Sequence, residues 1–595
     1  VKRCFYLKTT RDGSFYRMRR FIVSLAFFAA IVLVVVLNRR AAGSAVRGSA
    51  ASIRLHEVAE SIGIDFVHEA PTLDPKVQPI APHIAALGAC VSVADFNNDG
   101  NPDLYFTSSR FGSSNALFLN TGDGTFHNHS DHAGLGALNR AGEGVSMGAV
   151  WGDFDNDGFE DLFISKWGYQ QLFRNNGNGT FTDVTEQAGL RRWMNSNGAV
   201  WLDFDRDGLL DLYVTGYFRS DLDFWNLRTT RIMQHSWEFA TNGGKNLLFK
   251  NLGNGRFQDV TDSLGVGSTR WTLAAASADF NDDGWPDLYL ANDYGPEELY
   301  LNREGKRFEL ARAGLQDDSK SGMAVAIGDV YNRGRHDVFV TNISEKGFLF
   351  QGNNLRINFL KELDRFDEVA SGVVADAGWA WGAQFGDLNN DGLLDLVIAN
   401  GFISADSSRS YWYAMSKIAG AQGNIFEDAR NWPAIGKASL SGYERSRVLL
   451  NRGADGFEDV AEAAGVTDRL DGRAVAMVDL TNRGALDVVI ANEKARPLIY
   501  RSSPAEGFHW IELRLVGTRS NRSAIGAEVT VEFGNVRQRQ VVDGGSGFCS
   551  QNDRRLHFGL GRERPGRVLI RWPSGRQQVV EGLKADQLHV ITEPK

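Results

Sequence analysis

From residue 53 onward, apolar positions alternate with polar ones in short runs, and the runs come in sets of four. One set reads Gly148-Ala-Val-Trp-Gly-Asp153, Asp161-Leu-Phe-Ile-Ser165, Gln171-Leu-Phe-Arg174 and Gly179-Thr-Phe-Thr-Asp-Val184. Period-two alternation over four to eight residues, punctuated by Gly, Asn and Asp, predicts half-buried strands joined by turns. A tail, Thr-Glu-Gln-Ala-Gly-Leu190, follows the fourth run, and related tails follow Phe257-Gln-Asp-Val and Phe457-Glu-Asp-Val. Four short strands per unit of about 50 residues is the pattern of sheets repeated radially around an axis.

The turn between the first and second run of each unit has the form D-x-D-x-D-G-x-x-D. Five copies are intact. They carry Asp95, Asn97, Asp99 and Asp103; Asp153, Asp155, Asp157 and Asp161; Asp203, Asp205, Asp207 and Asp211; Asp279, Asn281, Asp283 and Asp287; and Asp387, Asn389, Asp391 and Asp395 at positions one, three, five and nine. Two further copies start at Asp329 and Asp479, with Tyr331 and Thr481 at position three and Arg333 and Arg483 at position five. Hard oxygen donors around a glycine that permits a sharp turn suit Ca2+. The loop is not an EF-hand, which needs a bidentate Glu at position twelve and flanking helices; here Phe106 or Ile164 stands there, inside a strand-like run. A polar turn closed by Asx-type side-chain bonds is the bland alternative, and five copies at one internal spacing favour calcium. The intact loops are expected to hold three or four converging carboxylates with no cation at a ligand position. In the two worn loops, Arg333 is expected to satisfy Asp329 and Asp337, and Arg483 to satisfy Asp479 and Asp487.

Seven loops predict an all-β chain: a seven-bladed β-propeller over residues 53–505, followed by a small β domain over 506–595, with one hydrophobic helix near the N-terminus. Residues 53–69 read as a fourth strand with its tail and no unit before it, so they are expected to complete the last unit, removing two open sheet edges at once. Residues 218–244 and 401–446 are insertions between second and third strands, which places them on the face opposite the loops. Trp193, Arg270, Trp271, Trp379, Trp381 and Arg473 open onto that face. Among the aromatic residues of the insertions, Trp225, Trp237 and Tyr411-Trp-Tyr413, packing is the expected role for any single ring. The insertion 401–446 is expected to be separable from the fold. In the C-terminal domain, strands are predicted over His509–Val516, Ala527–Glu532, Arg567–Trp572 and Gln577–Glu581.

Residues 21–37 form an uncharged apolar run between Arg17, Arg19, Arg20 and Arg39, Arg40. This is an export signal, of a length that favours an uncleaved anchor with residues 1–20 inside, 38–52 as a tether and the rest outside. The chain carries a formal charge of −9, which argues against nucleic acid as a partner. Cys90 and Cys549 form no motif, and two buried thiols are expected.

The loops with their Leu-Phe-x-Asn…Gly-x-Gly-x-Phe continuation resemble the FG-GAP/VCBS repeats of integrin α-subunit propellers and of many exported bacterial proteins. Leu515-Val-Gly-Thr-Arg-Ser-Asn521, Gly544-Gly-Ser-Gly-Phe-Cys-Ser-Gln551, Arg555-Leu-His-Phe-Gly-Leu-Gly561 and Arg571-Trp-Pro-Ser-Gly575 resemble the ASPIC/UnbV domain. The pairing of the two is similar to the cartilage acidic protein family. The resemblance implies an exported calcium-binding protein with no established reaction, engaging a protein or glycan on the face opposite the loops and acting in adhesion, ligand binding or assembly at the cell surface. The alternative is an enzyme with its site at the channel mouth, where His83, His235, Arg270 and Arg473 are the polar candidates. No G-x-S-x-G, HExxH or P-loop accompanies them.

The membrane anchor has a direct check. N-terminal sequencing of the exported protein should find residues 21–37 retained; a mature chain starting near Ser44 to Val46 would show cleavage instead.

Overall fold

The computed structural model describes residues 53–595 apart from 317, 419, 504 and 505. The hydrophobic helix expected over residues 21–37 lies outside the described residues. Among the described residues, no helix is long and apolar enough to cross a membrane.

Each of the seven repeat units forms an antiparallel four-stranded meander. The second unit shows how sequence becomes sheet. Its strands are Gly144–Gly152, Asp161–Tyr169, Gln171–Asn175 and Phe181–Asp183, with Trp151 opposite Leu162, Leu162 opposite Phe173 and Phe173 opposite Asp183. Nearly every residue of the first two strands is buried, as expected where both sheet faces are covered. The last unit, Gly472–Val478, Asp487–Asn492 and Leu498–Ser503, takes its fourth strand from Arg54–Glu57, with Leu55 opposite Ser502. The first strand of the described chain thus completes the last sheet, as its orphan tail predicted. The first strands of the seven units touch one another in chain order, and Gly472–Val478 touches Val91–Ala94 of the first unit.

The C-terminal domain has two sheets. Leu556–Gly561, His509–Val516 and Gln587–Thr592 form one; Val536–Val541, Glu528–Phe533, Val568–Arg571 and Gln577–Val580 form the other. The strands Val536–Val541, Leu556–Gly561 and Gln587–Thr592 are not among those the sequence predicts; Val536–Val541 has polar residues at all four of its inner positions. The domain shares one continuous apolar core with the second and third units, in which Ile511, Leu513 and Trp572 join Val150, Phe154 and Trp201.

A segment of this domain also enters the ring of first strands. Ser550–Gln551 pairs in parallel with Val91–Ser92. Gln551 donates to Trp151 O at 3.0 Å and accepts from Trp151 N at 2.7 Å. Gly544 O accepts from Trp201 N at 3.0 Å, Gly547 N donates to Val325 O at 2.6 Å, and Gln384 Nε2 reaches Ser546 O at 3.2 Å. One loop therefore stitches together strands from several units. Cys549 lies on it beside Cys90, the next residue back from the Val91–Ser550 pair, and both thiols are buried and free.

The insertions differ from expectation. Phe402, Tyr411, Trp412, Phe426 and Trp432 of the second insertion, and Phe218, Phe224 and Met233 of the first, belong to the largest apolar core. Met233 N donates to Glu427 O at 3.0 Å, Ile435 N to Pro79 O at 2.9 Å, and Asp74 N to Phe224 O at 2.8 Å. Each insertion covers apolar surface that the other and residues 74–89 leave open, so residues 401–446 are part of the core rather than a separable ornament. The expectation that single aromatic rings pack holds for most of them; Tyr413 is 69% exposed.

The plug predicts a sensitive position. A Cβ on Gly544 would overlap the Trp201 carbonyl. Gly544→Ala should cost about 1–3 kcal/mol by overpacking, read as a lower urea midpoint. An unchanged midpoint would show that the segment is not held there.

Candidate metal centres on the loop face

The loop geometry repeats position by position across the copies. Position four adopts a left-handed conformation in all seven copies: Asn98, Asn156, Arg206, Asp282, Asn332, Asn390 and Asn482 have φ between 53° and 60°. Asn tolerates that region better than most residues with a side chain. The turn brings the position-one carboxylate over the glycine amide: Gly158 N donates to Asp153 Oδ2 at 2.8 Å, Gly208 N to Asp203 Oδ2 at 3.0 Å and Gly284 N to Asp279 Oδ2 at 2.7 Å.

Position nine has a second task. Asp161 accepts from Phe154 N at 3.1 Å and from Asn175 N at 2.8 Å; Asp211 accepts from Phe204 N and Asn251 N, Asp287 from Phe280 N and Asn302 N, and Asp395 from Leu388 N and Asn451 N. The same bonds hold Asp103 to Phe96 N and Asn120 N. This aspartate staples the loop to the third strand with or without a cation, so the polar-turn reading accounts for part of the motif.

Donor oxygens nevertheless converge. In the second loop Asp153, Asp155 and Asp161 each place a carboxylate oxygen within 4.8 Å of the other two, and in the third loop Asp203, Asp205 and Asp211 do the same. Burial, then neighbouring acids, push Asp153 and Asp203 up to about 7. Burial likewise raises Asp161 and Asp211 well above the ordinary carboxylate range. Oδ1 of Asp95 and of Asp205 is buried with no hydrogen-bond partner. Converging, partly unpartnered oxygens whose ionised forms are disfavoured fit a divalent cation. In the other intact loops an Asn replaces one carboxylate: Asn97, Asn281 and Asn389 donate to Asp99, Asp283 and Asp391 at 3.0, 2.9 and 3.2 Å.

No ligand position of an intact loop holds a cation, but three of these loops meet cations from elsewhere in the chain. Lys250, from the third strand of its unit, sits on Asp205 and lies 3.0 Å from Asp207. Arg514 reaches Asp95 at 3.2 Å, and Arg571 pairs with Asp279. The reason is tertiary. The C-terminal domain roofs the loop face, and Arg514 stands 419 positions along the chain from Asp95.

The worn loops behave as expected in part. Arg333 Nη2 donates to Asp337 Oδ1 at 2.7 Å, and Arg483 pairs with Asp487. Asp329 is held instead by the backbone amides of Arg333, Gly334 and Arg539, at 2.6, 2.8 and 3.1 Å. Asp479 accepts from Thr481 N and Gly484 N. Each guanidinium therefore satisfies one carboxylate of its loop rather than two.

Position four, which the ligand argument passed over, organises the face. Its side chain meets the C-terminal domain in every copy: Asn98 accepts from Arg514 at 2.9 Å, Asn156 from Arg522 N at 2.7 Å, Asp282 from Arg539 at 2.6 Å, Asn332 from Gln538 at 3.1 Å and Asn482 from Arg555, while Asn390 bonds His557 at 2.7 Å and Arg206 donates to Pro573 O at 2.8 Å. The asparagines also donate to the next loop. Asn98 reaches Gly158 O, Asn156 Gly208 O, Asn332 Gly392 O, Asn390 Gly484 O, and Asn482 returns to Gly100 O. Asn at this position in five of seven copies was the available signal.

On the opposite face, the four residues considered for an enzyme are committed separately. Arg473 is fully buried and donates to the carbonyls of Ala86, Gly401, Gly472 and Phe402. Arg270 pairs with Glu298 at 3.2 Å, His235 bonds Thr241 at 3.3 Å, and burial lowers His83 to about 4.

The FG-GAP-like repeat model matches residues 95–164, 153–214, 239–290, 279–340 and 329–398, and the ASPIC and UnbV model matches 517–595. The chain is an FG-GAP repeat protein with a C-terminal ASPIC and UnbV domain. The FG-GAP repeat protein is related to cartilage acidic protein: it is 24% identical to cartilage acidic protein 1 of Mus musculus over 392 residues, covering 58% of this chain and 59% of that one. With the Homo sapiens protein it shares 23% over 390 residues, 58% and 57% of the two chains. The chain thus spans less than two thirds of the length of these curated relatives. Among solved structures, it aligns with an Agrocybe aegerita lectin that recognises non-reducing terminal N-acetylglucosamine, at 18% identity and a TM-score of 0.32, over 52% of this chain and 74% of the lectin. That sugar specificity is a property of the lectin.

Lys250 supplies a test of the third loop. Lys250→Ala should raise the affinity of that loop for Ca2+ at least several-fold in a calorimetric titration, because a competing cation is removed. Equal affinity would place Lys250 outside the competition.

Proposed function

We propose that the seven sheets are the blades of a seven-bladed propeller, that the protein is exported, and that its intact loops bind Ca2+. The observation that carries this reading is the convergence of three carboxylates at Asp153, Asp155 and Asp161, with the same arrangement at Asp203, Asp205 and Asp211. Bound calcium would relieve repulsion in the loops and stiffen the surface on which the C-terminal domain sits. The residues that would hold it are those at positions one, three, five and nine of the five intact loops. The two worn loops, with Arg333 and Arg483 on ligand carboxylates, stay outside the metal set.

The working surface in this reading is the face opposite the loops, built by the two insertions, and its partner is a protein or a glycan met outside the cell or at its surface, in adhesion, ligand binding or assembly. The loop face is roofed by the C-terminal domain, which leaves the insertion face as the exposed end of the ring. Exposed Tyr413 and Phe239, at 69% and 55%, give it apolar contact points.

Calcium at millimolar levels adds about 0.4–1.4 kcal/mol per loop if the dissociation constant is about 10⁻⁴–10⁻³ M. Chelation should therefore lower the melting temperature, and Asp155→Ala should remove part of that dependence. A melting temperature indifferent to chelator in metal-free protein would overturn the calcium reading. Tyr413→Ala should leave stability unchanged and weaken capture of the partner; unchanged capture would move the partner elsewhere.

A further inference from the structure

Where the two insertions meet residues 83–87 lies a cavity of about 20 Å³, walled by aromatic rings from four parts of the chain. Trp271 stands at right angles to Tyr217 and to Tyr294, with ring centres 5.1 and 5.9 Å away. Trp237, from the first insertion, meets Tyr294 edge-on at 5.4 Å. Trp379 and Trp381 lie parallel at 6.5 Å on the same lining.

Among these rings is one acid. Asp293 is 7% exposed and lines the cavity. Tyr217 donates its hydroxyl to Asp293 Oδ2 at 2.8 Å, and the hydroxyls of Tyr294 and Ser321 complete its polar surroundings. Burial pushes its carboxyl up to about 7. The basic residue one position before Trp271, Arg270, is turned to Glu298, and no ion pair to Asp293 exists among the described residues.

The lining also holds polar atoms without partners. His83 Nδ1 and the indole N–H groups of Trp379 and Trp381 are buried and make no hydrogen bond, and the Gln234 amide faces the Tyr294 hydroxyl. Buried polar groups are almost always satisfied, by protein, water or ligand, so several unpartnered ones on one small cavity call for a partner there.

The chemistry of the guest follows from what the walls offer. A buried carboxylate without a counter-ion is costly, and aromatic faces carry negative potential that attracts cations. A bare Ca2+ or Mg2+ would need six or more oxygens, which one carboxylate and a few hydroxyls do not supply. An organic cation needs one acid and several rings. We propose that this cage binds an organic ammonium ion, its charge held by Asp293 and the rings of Trp271, Tyr217 and Tyr294, with Gln234 and the Trp379 and Trp381 N–H groups meeting the polar end of the same guest. The proposal rests on the insertion face being the binding face and is independent of the calcium loops.

The test uses the exported chain with calcium present. Methylammonium, tetramethylammonium, choline and a short peptide carrying trimethyllysine are titrated against sodium chloride at constant ionic strength, with tryptophan fluorescence and calorimetry as readouts. At least one ion should bind saturably and change the fluorescence, and Asp293→Asn should weaken it at least ten-fold while the melting temperature stays the same or rises. Trp237→Ala, at a half-buried position on the insertion, should weaken it without loss of fold. A peptide that binds at least ten-fold tighter than tetramethylammonium would identify a side chain of a partner protein as the source; equal affinities would identify a small molecule. No saturable binding by any of the four, or equal binding by the Asp293→Asn protein, overturns the proposal and leaves the cavity to water. Repeating the titration in chelator separates the readings. Ammonium binding that survives while calcium fails to stabilise the protein sinks only the loops, and the reverse result sinks only the cage.

Discussion

The buried aspartate at the ninth loop position is the constraint on which the architecture depends. In the last unit this aspartate, Asp487, keeps the bond to the third strand; in the first six units it begins the second strand and turns its two oxygens to backbone amides of the loop behind it and the third strand beside it, as Asp161 does with Phe154 N and Asn175 N. The asparagine it meets then reaches across to the neighbouring unit, as Asn175 does to Phe96 O at 2.8 Å and Asn251 to Phe154 O at 2.8 Å. One acid per unit thereby fixes loop shape, strand order and contact between units. This explains why Asp337 and Asp487 persist in loops that have lost other ligand residues. The backbone amides they satisfy would otherwise be buried without partners.

The same loops carry two further structural features. In the second and third loops the position-one, -three and -nine oxygens converge, and in all seven loops the position-four side chain meets the C-terminal domain. The C-terminal domain therefore acts on atoms next to the loop carboxylates: Arg514 touches both Asp95 and Asn98. The C-terminal domain is structurally continuous with the ring, through a shared core and through the segment that inserts among the first strands. A chain that reads as two modules is joined along the face that carries the acidic loops.

The opposite face is built by different physics. There the polar loops give way to aromatic rings, and the insertions close over a core that neither could bury alone. Its charged residues are spent on carbonyls or on one another, as Arg473 and Arg270 show. Asp293 stands apart as an acid held by hydroxyls among rings.

The sequence by itself determined the repeating part of this protein. Period-two alternation and a loop with fixed internal spacing are local properties, so seven four-stranded sheets, the closure by Arg54–Glu57 and the position of both insertions were legible. Arg333 and Arg483 stood out as cations at ligand positions for the same reason. Tertiary structure alone decided what non-repeating residues do. Nothing near Lys250, Arg514 or Arg571 in the chain marks them as neighbours of loop carboxylates. The plug at residues 544–551 alternates with nothing, yet its backbone pairs with strands hundreds of residues away. The insertions looked separable because their apolar residues lack a period, and only the ring that brings them face to face turns those residues into a core and a cage.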